Sequence, residues 1–235
     1  MSRKSFTMKK PLNLIAAMSL ALSALVSVSC GNGSTPTEPM DNTHGYIPAA
    51  ADTVKSVLVV VDVQKDFFSP DGSLYVKGGE ELPAKIAAIA QDYDAVMFSL
   101  DWHPADHCSF VAQGGPWPSH CVAYTEGAGL ADEFAPILAK GEDRCQLFLK
   151  GTDPAAEEYG AFDGISECRI HSWFKTAQIV AVCGIAGDYC VKESTANILK
   201  VIPASKVTML TDCIRSIDDG STLASFIKEN SITAE

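Results

Sequence analysis

Basic residues are scarce in this chain: 18 Lys and Arg stand against 29 Asp and Glu in 235 residues. Four of the 18, Arg3, Lys4, Lys9 and Lys10, crowd into the first ten positions, so everything after them carries 14 basic residues against 29 acidic ones, a net charge of -15. So acidic a body repels phosphate backbones, which excludes nucleic acid as a partner. Paired Cys-x-x-Cys spacing is also missing. The cysteines after Cys30, at 108, 121, 145, 168, 183, 190 and 213, are too scattered for a zinc finger or a small disulfide scaffold. Their odd number leaves a thiol free unless chains cross-link. No internal repeat recurs, which excludes a solenoid.

The chain has one long apolar run, residues 12–28, which is uncharged and follows the basic start, as the h-region of a secretory signal follows its n-region. It ends at Ser27-Val28-Ser29-Cys30 and passes directly into Gly31-Asn32-Gly33-Ser34. Cys30 resembles the lipidated cysteine of a bacterial lipoprotein signal, although Ser27 stands where such signals usually carry Leu. The alternative is an uncleaved anchor helix, the run being slightly short of the ~20 residues that span a bilayer. Residues 30–52 are rich in Gly, Ser, Thr, Pro and Asn and bury too little to offset chain entropy. The expectation is therefore a signal at 1–29, a tether at 30–52 and one compact domain at 53–235, exported and membrane-anchored, facing the periplasm or the cell exterior.

Residues 56–62 (SVLVVVD) form a β-branched run with no polar alternation, so both faces of this strand should be buried, as in the centre of a parallel sheet. Further apolar runs at 95–100, 146–149, 179–183 and 207–210 alternate with helical periodicity at 82–91 and 191–201. This pattern predicts an α/β domain, a three-layer α/β/α sandwich with a mostly parallel central sheet. In such sheets ligands bind beyond the carboxyl ends of the strands. The residues found there are Asp62, Asp101 with His103, Lys150, and the turn Gly184 to Asp188 leading to Cys190.

Each of these residues has a bland reading: a buried apolar cysteine, a capping aspartate, a surface lysine. An Asp and a Lys at adjacent buried strand ends are costly unless they pair with each other or with a reacting group, and here they suggest a base held by a cation beside a thiol. Cys190 precedes an expected helix start near Val191, a position that favours the thiolate. The glycine-bearing turn before it could aim backbone N–H groups at an oxyanion. Asp101-x-His103 is a compact ligand pair, and the turn Gly114 to Pro118 could fold His120 back to complete a metal site with open positions. His44 and His171 read as solvated loop residues, and His107 is left open as a further ligand.

The segments VVDVQKDF at 60–67, SLDWHPADHCSF at 99–110, GGPWPSHC at 114–121, LKGTDPAAEEYGAF at 149–162 and CGIAGDYCV at 183–191 make the domain resemble the isochorismatase-like cysteine hydrolases, specifically the nicotinamidase (pyrazinamidase) branch. The resemblance implies a catalytic triad of Asp62, Lys150 and Cys190, a cis peptide between Ile185 and Ala186, and an oxyanion hole from the N–H groups of Ala186 and Cys190. It further implies one divalent metal, zinc with iron or manganese as alternatives, on Asp101, His103 and His120, and an aromatic sandwich of Phe67, Trp117 and Tyr159. The implied reaction takes nicotinamide to nicotinate and ammonia through a Cys190 thioester. Nicotinamidases usually serve NAD salvage in the cytoplasm, so the export signal points equally to scavenging of external amides. Homo-oligomerisation, the disulfide pattern and a pairing of Cys108 with Cys121 are left open. The alternatives are another hydrolase of the superfamily, such as an isochorismatase or an N-carbamoyl or ureido amidase, and a non-catalytic lipoprotein that binds a small ligand.

Overall fold

The computed structural model describes residues 53–141, 143–165 and 169–235. The signal, Cys30, the tether, His44 and Cys168 lie outside the described residues. The sheet consists of β1 (Ser56–Val61), β2 (Ala95–Asp101), β3 (Cys145–Lys150), β4 (Ile179–Ile185), β5 (Val207–Arg215) and β6 (Thr233–Ala234). Their order is β3-β2-β1-β4-β5-β6 and every pairing is parallel, so β1 is an interior strand. Val57 to Val61 are wholly buried. Burial of each such side chain contributes about 1.5–3 kcal/mol, which explains why this segment occupies the middle of the sheet.

The helices are α1 (Lys65–Phe68), α2 (Leu82–Ile89), α3 (Ala135–Leu138), α4 (Arg169–Thr176), α5 (Lys192–Leu199) and α6 (Ser221–Glu229). In α2, Leu82 and Ile86 face the core at helical spacing, Pro83 sits in the first turn where its missing N–H costs nothing, and 3-10 turns extend the segment at both ends. His171 lies within α4, not in a loop. Among the described residues no helix is long and apolar enough to cross a membrane.

Four strands outrun their expected runs, β2 and β3 by a single residue at an end and β4 and β5 by more. β4 continues through Gly184, which reads in the sequence as the start of a turn but sits in the strand at φ 125°, where a Cβ would overlap the Val61 backbone. β5 continues past Leu210 because the polar, exposed Thr211 and Asp212 occupy an irregularity of register, after which Ile214 pairs with Gly184. The two-residue β6 at the edge carries too short a pattern to be read from sequence.

Sheet order and strand order part company between β1 and β4: the chain builds outward through β2 and β3 on one side, then returns to build β4, β5 and β6 on the other. That switch point is where an open parallel sheet leaves a crevice above its carboxyl edge. Asp62 follows β1 and the segment leading to Cys190 follows β4, so the topology sets these two groups on either side of the crevice.

Candidate functional site

At the end of β1 the Asp62 N–H makes a last ladder bond to the Ser99 carbonyl (3.1 Å), and the chain then turns sharply, the Gln64 N–H bonding back to the Asp62 carbonyl (2.8 Å). This turn puts Asp62 at φ 50°, a left-handed conformation that Asp tolerates better than most residues. Its side chain is wholly buried. The Ser99 hydroxyl donates to Oδ1 (2.7 Å). The Lys150 ammonium lies 3.0 Å from Oδ2 and supplies its compensating charge.

Lys150 ends β3 opposite Asp101 in the register, and its ammonium donates to Asp101 Oδ1, to the Glu158 carbonyl (3.3 Å) and toward the Cys190 sulfur (3.5 Å). One buried cation therefore touches all the acidic groups of the site. Burial disfavours its charge, but Asp101, Asp62 and Cys190 hold the ammonium well above the ordinary lysine range. Burial raises the Asp62 carboxyl to about 6, with Lys150 opposing and Asp101 reinforcing the rise. Burial acts on Asp101 in the same direction, yet Lys150 and His103 win there and hold it below the usual carboxylate range.

Cys190 departs from the expectation of a helix N-terminus. It sits inside a π-helical turn, Gly187–Val191, that runs straight into α5. Burial pushes its thiol well above the ordinary range, Lys150 opposing and Asp62 reinforcing, so the resting group is a thiol that needs a base, and not a standing thiolate. The Cys190 sulfur and one oxygen each from Asp62 and Asp101 lie within 4.8 Å of one another. The peptide between Ile185 and Ala186 is cis, and the Ala186 carbonyl accepts the N–H groups of Tyr189 (3.2 Å) and Val191 (3.0 Å), which ties the turn together.

Asp101, His103 and His120 converge as expected. Asp101 Oδ2 lies 3.6 Å from His103 Nε2 and 3.9 Å from His120 Nε2, and all three side chains are buried. Ligands around a tetrahedral ion at about 2 Å stand about 3.3 Å apart, so the two Asp101–histidine separations of 3.6 and 3.9 Å need to close by only a few tenths of an ångström. The tautomers suit a metal as well. His103 Nδ1 donates to the Gly151 carbonyl (2.9 Å) and His120 Nδ1 to the Pro118 carbonyl (2.7 Å); a carbonyl only accepts, so Nε2, on the Asp101 side, is the nitrogen each imidazole would offer a metal, and against the opposing pull of burial the pairing of His103 with Asp101 raises the pKa of that imidazole. His107 is not placed to join them: its ring nitrogens are engaged by the Ser109 hydroxyl (2.7 Å) and the Ala156 carbonyl (3.0 Å), and its ring stacks on His103 at 4.1 Å.

Phe67 lies against His120 (5.4 Å between ring centroids), and Trp117 donates its indole N–H to the Tyr159 hydroxyl (3.0 Å). Tyr189, beside Cys190, contacts both Trp117 (5.2 Å) and Tyr159 (5.3 Å) and so joins the aromatic lip. Cys108 and Cys121, which could have paired, are both free thiols.

Several residues that build the site carry no signal of their own in the sequence. The wholly buried Gln64 amide accepts the Asp101 N–H (2.8 Å) and donates to the Asp101 carbonyl (2.8 Å) and the Ala128 carbonyl (2.9 Å). It replaces the strand partner that Asp101 loses when β1 turns away at Asp62. Asp66 accepts the N–H of Cys121 (2.7 Å), a residue at φ 44°, and so fixes the turn just after His120. Glu158 accepts the Gly151 N–H (2.8 Å). Gln64 and Asp66 lie inside the motif around Asp62, and that proximity was the one available clue.

No family model matches the chain. Among curated proteins it is similar to the nicotinamidase of Saccharomyces cerevisiae, 30% identical over 206 residues that span 73% of this chain and 93% of the yeast protein. Among solved structures it is similar to PnC1 of L. infantum in complex with nicotinate, with 30% identity, a TM-score of 0.65, and coverage of 80% of this chain and 95% of that one. It is likewise similar to the pyrazinamidase of Pyrococcus horikoshii in complex with zinc, with 29% identity, a TM-score of 0.63, and coverage of 77% and 98%.

Proposed function

The chain belongs to the nicotinamidase family, and on that premise we propose that it hydrolyses nicotinamide to nicotinate and ammonia, with Cys190 as nucleophile, Asp62 as base and Lys150 as the cation that keeps both in place. The observation that carries this reading is the wholly buried Asp62 carboxyl, raised to about 6, with one oxygen within 4.8 Å of the Cys190 sulfur and the Lys150 ammonium 3.0 Å from its Oδ2. A base whose pKa lies close to the operating pH can take the thiol proton and give it back.

Asp62 takes the Cys190 proton and the thiolate adds to the carboxamide carbon. The resulting oxyanion is held by the N–H groups of Ala186 and Cys190. As the C–N bond breaks, Asp62 returns the proton to the departing nitrogen, which leaves as ammonia. Water then opens the thioester: Asp62 accepts its proton and passes it back to the Cys190 sulfur, which releases nicotinate. Throughout, Lys150 compensates the negative charge that moves between Asp62 and sulfur. Phe67, Trp117 and Tyr159 enclose the ring.

Asp101, His103 and His120 are the residues that would hold a divalent ion, with zinc first and iron or manganese as alternatives for two nitrogens and a carboxylate. Such an ion would supply a Lewis-acid centre at the site. An isochorismatase or an N-carbamoyl or ureido amidase would use the same three residues around Cys190; the clustering of Asp101, His103 and His120 favours the nicotinamidase reading, because an isochorismatase has no need of that set.

For the first 52 residues we propose a lipoprotein signal at 1–29, lipid on Cys30, and a tether to 52 that holds the domain outside the cytoplasm, on the strength of the Cys30 context. Active protein that retains residues 1–29 would contradict that. The amidase reading is tested by ammonia release from nicotinamide. The wild-type protein should turn over and Cys190→Ala should lose turnover while keeping its fold; retained activity in that variant would falsify the assignment.

A further inference from the structure

Between the end of β3 and Tyr159 the chain makes an excursion, residues 151–157, most of it exposed. It is pinched shut at its neck by one side chain: Glu158 Oε2 accepts the Gly151 N–H at 2.8 Å. The same residue offers its main-chain carbonyl to the Lys150 ammonium at 3.3 Å. Gly151, held from one side by Glu158, gives its own carbonyl to His103 Nδ1 at 2.9 Å. No slack exists at that contact, since Gly151 is at φ 62° and a Cβ there would overlap the His103 ring. The next residue after Glu158, Tyr159, takes the Trp117 indole N–H.

We propose that Glu158 is a positioning residue whose carboxylate, by closing the neck of the 151–157 loop at Gly151, sets His103 in the metal trio, while its main-chain carbonyl adds a bond to the Lys150 ammonium that the sheet already places. The contact needs an acceptor of the right reach; the charge on the carboxylate is secondary. The body of the loop is tied separately, the Cys108 N–H donating to the Pro154 carbonyl (2.8 Å) and His107 to the Ala156 carbonyl (3.0 Å), so the Glu158 bond acts on the neck at Gly151. Residues that orient a metal-binding histidine from behind typically change metal affinity or activity by about 10–100-fold when lost.

The inference rests on the metal and amidase readings above, and its test separates the two. Glu158→Ala, Glu158→Gln and Glu158→Asp are compared with the wild type by competition for zinc against a chromogenic chelator, by kcat and KM for nicotinamide at saturating zinc, and by thermal unfolding. Glu158→Ala should bind zinc about tenfold more weakly and lose about 10–100-fold in kcat, with KM altered much less and the melting temperature nearly kept. Glu158→Gln keeps an acceptor oxygen at the same reach and should stay within about threefold of wild type; Glu158→Asp keeps the charge, loses the reach, and should resemble Glu158→Ala. Wild-type zinc affinity in Glu158→Ala, or a functional Glu158→Asp beside a crippled Glu158→Gln, would overturn the proposal. If the wild type fails to release ammonia, the amidase reading is lost, and zinc competition alone decides the role of Glu158.

Discussion

The two halves of the site are built by different means. Asp62 and Lys150 stand at the ends of strands whose registers are fixed over five or six consecutive pairs, and Cys190 stands on a turn fed directly by β4. His103, His120, Trp117 and Tyr159 stand on loops, and each is held by a particular bond: Gly151 for His103, Pro118 for His120, and the indole-to-hydroxyl contact for the aromatic pair. Asp101 belongs to both halves, one carboxylate oxygen on Lys150 and the other facing the two histidines. A sheet can thus hold charged groups in place by its own register, whereas loops must be tied to it bond by bond.

This contrast predicts where damage spreads. The largest effect should come from Lys150→Met, which leaves the buried Asp62 and Asp101 carboxylates without their cation. Breaking a buried ionic cluster by removing one partner costs about 3–5 kcal/mol, which for a domain of this size lowers the melting temperature by about 10 °C, and turnover should vanish with it. An unchanged melting temperature would mean that the sheet-borne half does not depend on the cluster. His103→Ala, on the loop side, should separate the two properties: turnover of nicotinamide falls by about 100-fold or more, while the melting temperature of the metal-free protein moves by only a few degrees. Chelation should act on the wild type in the same way and be reversed by adding divalent metal. Turnover indifferent to chelation would remove the metal from the account.

The smallest effect lies in the pH profile. Asp62 acts as base only when ionised, and burial has raised its carboxyl from 3.8 to about 6. Below that value the protonated fraction grows, so kcat/KM of the metal-saturated enzyme should fall about tenfold per pH unit below about 6. A plateau that persists to pH 4.5 would indicate an aspartate of ordinary acidity.

The sequence carries the sheet-borne half almost entirely. Uninterrupted apolar runs locate β1 and β2, and Asp62, Asp101 and Lys150 are legible because a charged residue at the end of such a run has few other reasons to be there. It carries less of what depends on approach between distant segments. Gly184 reads as a turn but lies within β4, because the reason for a glycine there is the Val61 backbone on the neighbouring strand. The pull on the Cys190 thiol is only half legible: its place before a helix favours the thiolate, whereas the burial that pushes the other way belongs to the folded structure. Gln64, Asp66 and Glu158 are polar residues whose meaning is a hydrogen bond to a backbone 37, 55 and 7 residues away, and no periodicity encodes that.

The central claim, that Cys190 attacks the amide carbon with Asp62 as its base, is tested most directly by trapping the acyl enzyme. Protein mixed with excess nicotinamide, quenched in acid during turnover and digested, should yield a nicotinoyl thioester on the peptide that contains Cys190. Asp62→Asn treated in the same way should yield none. Steady ammonia release with Cys190 unmodified, or an acyl group found on another of the cysteines, would contradict the account.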